Sequence, residues 1–133
     1  MQSPAFFSRT YDETMDLMVE ARNYLSYVER RERERAGVFV GLRMSCEAMR
    51  VTSRLAQVMA WLLMQRAVYQ GEVSVEQALA DDCRLSGADV CLDESYSRDE
   101  TLPNGLRSLM DRSHRLYVRV TRLEKMMVQR VVH

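Results

Sequence analysis

The densest run of apolar positions lies between Leu42 and Gln70, LRMSCEAMRVTSRLAQVMAWLLMQRAVYQ, a stretch without Gly or Pro whose period predicts one long helix. At 100° per residue, Met44, Ala48, Met49, Val51, Thr52, Leu55, Ala56, Val58, Met59, Ala60, Leu62, Leu63 and Ala67 occupy well over half of its circumference. One partner helix covers an arc of roughly 100°. The helix is therefore expected to touch two or more neighbours. The remaining strip carries Arg43, Glu47, Arg50, Arg54 and Gln57, and then Trp61, Gln65 and Val68. A large aromatic on the one polar strip points to something that covers it.

Two further amphipathic segments supply neighbours. Over 11–35, Thr14, Leu17, Ala21, Tyr24 and Val28 step 3, 4, 3, 4 and are widened by Met15, Met18 and Leu25. Thr10 and Glu13 stand at capping-box spacing ahead of it, with MQSPAFFSR as an arm whose Phe6 and Phe7 can tuck against the domain. Its end, ERRERER, reads as a solvated helix end with i,i+4 pairs Glu29–Arg33 and Arg30–Glu34, before Gly37 and Gly41 mark the stop and turn. Over 104–131, Leu106, Leu109, Ser113, Leu116, Val120, Leu123, Met127 and Arg130 form the cleanest heptad, preceded by Pro103. Ser74 and Gln77 predict a short helix at about 75–81. From about 83 to 103 the pattern disappears into a partly disordered acidic loop. The expected fold is all-α: one domain over residues 1–133, an antiparallel three-helix bundle with this loop between its second and third helices.

Charge sharpens that division. The net charge is zero, but residues 71–101 hold nine acids against two bases, and the last helix is basic through Arg107, Arg112, Arg115, Arg119, Arg122 and Lys125. Eighteen of the nineteen bases are Arg, which suits either bidentate contacts or a genome rich in G and C. Cys46, Cys83 and Cys91 form no CxxC pair, so free thiols in a reducing cytoplasm are expected. No signal segment or membrane span is expected.

No catalytic constellation is spelled out. His114 and His133 lie on a basic helix face and at a terminus, and GxGxxG, GxxxxGK[ST] and HExxH are absent. Glu47, Arg50 and Arg54 suit a surface ion-pair ladder better than a buried polar site. Met15, Met18, Met49, Met59 and Met110 lie on seams as core filling, whereas Met126 and Met127 suit a contact surface. A DNA-associated regulator using the arginines of the last helix is the alternative, although no helix-turn-helix spacing supports it. A metal or small-molecule domain built on Cys46 or on Glu47, Arg50 and Arg54 is a third reading.

The segment EAMRVTSRLAQVMAWLLMQRAV from Glu47 to Val68, with Gly71-Glu72 and Ser74, resembles the alphaproteobacterial RcdA family, the regulators of CtrA degradation. Leu102-Pro103, Leu106, Leu109, Ser113, Leu116-Tyr117, Arg119-Val120 and Leu123-Glu124 resemble it too, as do Phe6-Phe7, Thr10 and Glu20-Ala21-Arg22. The resemblance implies a dimeric three-helix bundle without catalytic activity, a cytoplasmic adaptor that helps deliver cell-cycle regulators to the ClpXP protease. It implies no cofactor. The candidate partner surface, read from the residues, joins Arg54, Gln57, Trp61 and Gln65 of the central helix to Asp89, Asp93 and Glu94 of the loop and Arg115, Arg119 and Arg122 of the last helix. A homodimer is expected as well, because three helices do not use all of the apolar faces.

Overall fold

Residues 4–80, 84–93 and 99–132 are described by a computed structural model, with side chains from residue 7 to residue 130. Its helices are α1 Pro4–Tyr27, α2 Glu29–Ala36, α3 Val38–Tyr69, α4 Val75–Ala78, α5 Ala88–Cys91 and α6 Asn104–Val132, and no strand occurs among the described residues. The three long helices α1, α3 and α6 pack pairwise around one core. Leu17 and Tyr24 of α1, Met44, Val51, Leu55, Val58 and Leu62 of α3, and Leu106, Leu109, Leu116 and Val120 of α6 are all at most 8% exposed. These are the 3,4-spaced seams; helix–helix burial of such stripes supplies most of the stability that helix propensity alone does not.

Helix directions follow from which residues meet. Glu13 pairs with Arg119 and Glu20 with Arg112, so α1 and α6 run in opposite senses. Phe7 meets Trp61 edge-on with ring centroids 6.0 Å apart, which puts the start of α1 at the far end of α3 and makes this pair antiparallel too. Arg43 of α3 pairs with Asp99 just ahead of α6, Arg54 donates to the Met110 carbonyl, and Val68 shares a hollow with Met127. Hence α3 and α6 run parallel. The expected alternation of all three helices does not hold, because the connection from 70 to 103 is long enough to return the chain along the roughly 48 Å that 32 helical residues span.

The junctions have local causes. α3 ends in a Schellman arrangement, with Glu72 N–H bonded to the Ala67 carbonyl at 2.9 Å, Gly71 N–H to that of Val68 at 3.1 Å, and Gly71 at φ 78°. Ser74 and Gln77 close a reciprocal capping box. The Pro103 carbonyl accepts from Arg107 N–H at 2.9 Å, which opens α6 directly after the proline.

Three boundaries differ from the sequence expectation. Helix α1 begins at Pro4 instead of after a Thr10 cap: Phe7 has Trp61 to pack on, so the earlier turns are worth forming, and Thr10 is a buried mid-helix residue whose carbonyl accepts from Thr14 Oγ1 at 2.7 Å. The chain breaks at Val28, so ERRERER forms its own helix, and its Glu29 is buried beside Arg33 at 3.5 Å. Gly37, at φ 85°, makes the whole turn into α3, while Gly41 lies inside α3, where a Cβ would come 3.1 Å from the Arg33 side chain.

Candidate partner-binding site

The polar strip of α3 is the side against which the returning chain lies. Arg54 sits at its centre and is only 2% exposed. Its Nε donates to the Cys91 carbonyl at 2.7 Å, Nη1 to the Met110 carbonyl at 3.0 Å and Ser113 Oγ at 3.2 Å, and Nη2 to the Asp93 carbonyl at 2.9 Å. A guanidinium is suited to this role because its planar, permanently charged fork of donors reaches several acceptors at once. One turn earlier, Arg50 donates to the Val90 carbonyl at 2.8 Å and pairs with Asp93 at 3.2 Å and with buried Glu47. The expected surface ladder is therefore a buried polar site, since residues 84–93 and α6 close over it.

The return segment is fastened on its other flank to α6. Glu124, 4% exposed, accepts from Leu85 N–H at 2.9 Å and pairs with Arg84 at 3.6 Å; Tyr117 Oη donates to the Ser86 carbonyl at 3.0 Å. On α3, Gln57 accepts from Ser86 N–H at 3.0 Å. Burial raises the Tyr117 phenol to about 12, with Cys91 beside it adding to the rise. Burial also pushes the Cys91 thiol up, against the opposing pull of Arg54. Cys91 is thus a packed thiol held in its neutral form, and Cys46 is exposed; Cys83 falls outside the described residues.

The candidate surface residues divide sharply. Trp61 is 3% exposed, and Gln65 is 4% exposed. Together with Arg54 they face the chain's own interior, so a partner cannot touch them without displacing the segments above. Phe7 and the return segment are what cover the misplaced aromatic. Gln57 and Asp93 are half-buried in loop contacts, Asp89 is exposed, and Glu94 lies outside the described residues. Arg115, Arg119 and Arg122 are exposed on α6.

That basic face is largely neutralised from within. Arg119 pairs with Glu13 at 2.5 Å, Arg115 with Asp111 at 3.3 Å, and Arg112 holds Glu20 through both guanidinium nitrogens at 2.7 and 2.5 Å. The Arg112 hydrogen bond keeps the Glu20 carboxyl below its ordinary value. Among the methionines, Met110 is core, but Met49 is 71% exposed and Met15 38%, so neither fills the interior expected of it; Met126 is 46% exposed.

Sequence reading missed Ser113, Glu124 and Tyr117. A signal existed for the first, because a serine interrupts the α6 heptad at a core position and is there to accept from Arg54. Among the described residues no group of three or more His, Cys, Asp or Glu could hold a metal ion, and no helix is long and apolar enough to cross a membrane. An apolar hollow of about 210 Å³ lies between α1 and the end of α3, lined by Phe7, Tyr11, Leu62, Leu63, Arg66 and Tyr69 among others.

The family model described as a protein of unknown function, DUF1465, matches residues 1–133. The crystal structure of RcdA from Caulobacter crescentus CB15 is similar at 40% sequence identity and a TM-score of 0.72, covering 91% of this chain and 89% of that one. No curated protein matches. Full-length agreement with the family model, joined to this structural likeness, places the chain in the DUF1465 family together with RcdA.

Proposed function

We propose that the protein is a non-enzymatic adaptor that binds protein partners and helps deliver cell-cycle regulators to the ClpXP protease, working in the cytoplasm as a homodimer. The observation that carries this reading is the likeness to RcdA across nine-tenths of both chains. We place the partner-facing surface on the exposed side of the three-helix scaffold, at Asp89 of the return segment and at Arg115, Arg119 and Arg122 of α6. No observation supports the DNA-associated alternative, since Arg112, Arg115 and Arg119 already hold acids of the same chain.

The test is degradation of a CtrA-type regulator by purified ClpXP with and without the protein. Acceleration is expected, and charge reversal by Asp89→Lys with Arg115→Glu and Arg122→Glu should remove most of it while leaving the helical content unchanged. An unchanged degradation rate at saturating wild-type protein would overturn the delivery role. Full activity of the triple variant would overturn the surface alone.

A further inference from the structure

Where the start of α1 meets the end of α3, the bundle leaves a hollow of about 210 Å³. Phe7 and Tyr11 of α1 wall one side of it, and Leu62, Leu63 and Tyr69 of α3 the other. Positions 7 and 11 are one turn apart and 62 and 69 two turns apart, so each set belongs to one helix face. Leu62 is 3% exposed and closes the floor, whereas Tyr69 at 60% and Leu63 at 40% stand open at the rim. A dry cavity of about 150 Å³ holds a benzene ring, and drug-sized ligands need about 300–1,000 Å³. The hollow therefore has room for one branched or aromatic side chain, and none for a nucleotide.

Two charges complete it. Asp12 lines the hollow from α1 and Arg66 from α3. Neither has an ion-pair or hydrogen-bond partner among the described residues, although both line the same hollow. Elsewhere the charges that face each other across helices close up, as Glu13 does with Arg119 and Glu20 with Arg112.

We infer that this hollow binds a free apolar α-amino acid, with its side chain between the aromatic walls, its carboxylate on the Arg66 guanidinium and its ammonium on the Asp12 carboxylate. A guanidinium takes a carboxylate through two parallel hydrogen bonds, and a carboxylate takes an ammonium through charge-assisted ones. An apolar acid would bring its carboxylate up to Asp12 with no cation to offset it, and an apolar amine would bring its ammonium up to Arg66; like charges in proximity penalise both. An internal peptide segment carries neither charge and gains only the side chain. Asp12 and Arg66 are both exposed, so water and salt weaken their pull and the affinity belongs at about 0.1–1 mM. None of the residues proposed to face partners lines the hollow, so this site and the delivery role stand or fall separately.

The experiment titrates amino acids onto the full chain by calorimetry and by tryptophan emission. Trp61 is the single tryptophan and touches Phe7 edge-on at 6.0 Å, so its emission reports on the wall of the hollow. L-leucine or L-phenylalanine, taken to about 10 mM, should give a saturable signal. Glycine keeps both charges without the side chain, N-acetyl-L-leucine mimics the last residue of a chain, and L-leucinamide mimics the first; each should bind about 10-fold more weakly or worse. Asp12→Asn and Arg66→Met, with unchanged circular dichroism, should each weaken leucine binding about 10-fold, and Asp16→Asn, one turn further along α1 and outside the hollow, should leave it unchanged. No saturable signal by either method with leucine or phenylalanine overturns the site. Equal binding of N-acetyl-L-leucine or L-leucinamide overturns the free amino acid in favour of a chain terminus. Equal binding of glycine, or an equal loss in Asp16→Asn, overturns the part given to the hollow and its two charges.

Discussion

Arg54 concentrates in one side chain what holds the return segment in place. Its donors serve three carbonyls and a hydroxyl drawn from two separate stretches of chain, and all four would lose the guanidinium together, with the Met110 carbonyl and Ser113 Oγ left bonded to each other. Leaving a buried polar group without its hydrogen bond costs about 1–3 kcal/mol, and a hydrogen bond to a charged group is worth about 1.5–3 kcal/mol. Arg54→Met is therefore expected to lower unfolding stability by about 3 kcal/mol or more. Arg119→Met, which removes an exposed pair with Glu13, should cost less than about 1 kcal/mol. Urea unfolding followed by circular dichroism separates the two, and equal losses would refute the distinction. Both residues are arginines on helices with acids near in space, so the sequence could not tell them apart. What separates them is burial, which is decided by residues 37 to 59 positions away.

At the level of elements, the long helices were readable because their seams repeat over about four turns or more, and the α6 heptad appears in the structure as the buried row Leu106, Leu109, Ser113, Leu116 and Val120. The return segment was not readable as structure, because it has no period of its own. It is held by side chains of its neighbours, of which Tyr117 is the titratable clamp. The fold binds the phenolic proton more tightly, raising the Tyr117 pKa from 10.0 to about 12, so stability present below pH 10 drains away as pH rises from 10 towards 12. Tyr24, pushed further up by burial and by Glu32 beside it, works in the same direction. Tyr117→Phe should cost about 1 kcal/mol at pH 8 through the lost bond to the Ser86 carbonyl. It should also make the fall in urea midpoint between pH 10 and 11.5 shallower, leaving the part due to Tyr24. A slope unchanged from wild type would show that the segment is not clamped through this group.

For the whole molecule, the decisive fact is the parallel course of α3 and α6, and this was hidden from the sequence for a physical reason. A connection of more than thirty residues can either double back or cross over, and loop-closure entropy scarcely distinguishes them, since doubling a loop costs only about 0.6 kcal/mol. Direction is settled by side chains at both ends: Arg43 with Asp99 at one, Val68 and Met127 at the other. It can be tested by connection length alone. Replacing residues 70–103 with six Gly and Ser residues gives a link that spans about 20 Å, against the roughly 32 Å between the end of α3 and the start of α6, whose Met110 lies beside Arg54; a 34-residue Gly and Ser replacement spans it easily. Both variants lose the contacts of the return segment equally, so their difference isolates the span. An antiparallel pair would make the short link more stable by about 1 kcal/mol through its smaller closure entropy. The parallel pair reverses the sign: the long link should unfold cooperatively in urea, and the short one should lose cooperativity or survive only as a swapped oligomer in which α6 docks on another copy. A monomeric short-link protein at least as stable as the long-link one would overturn the topology.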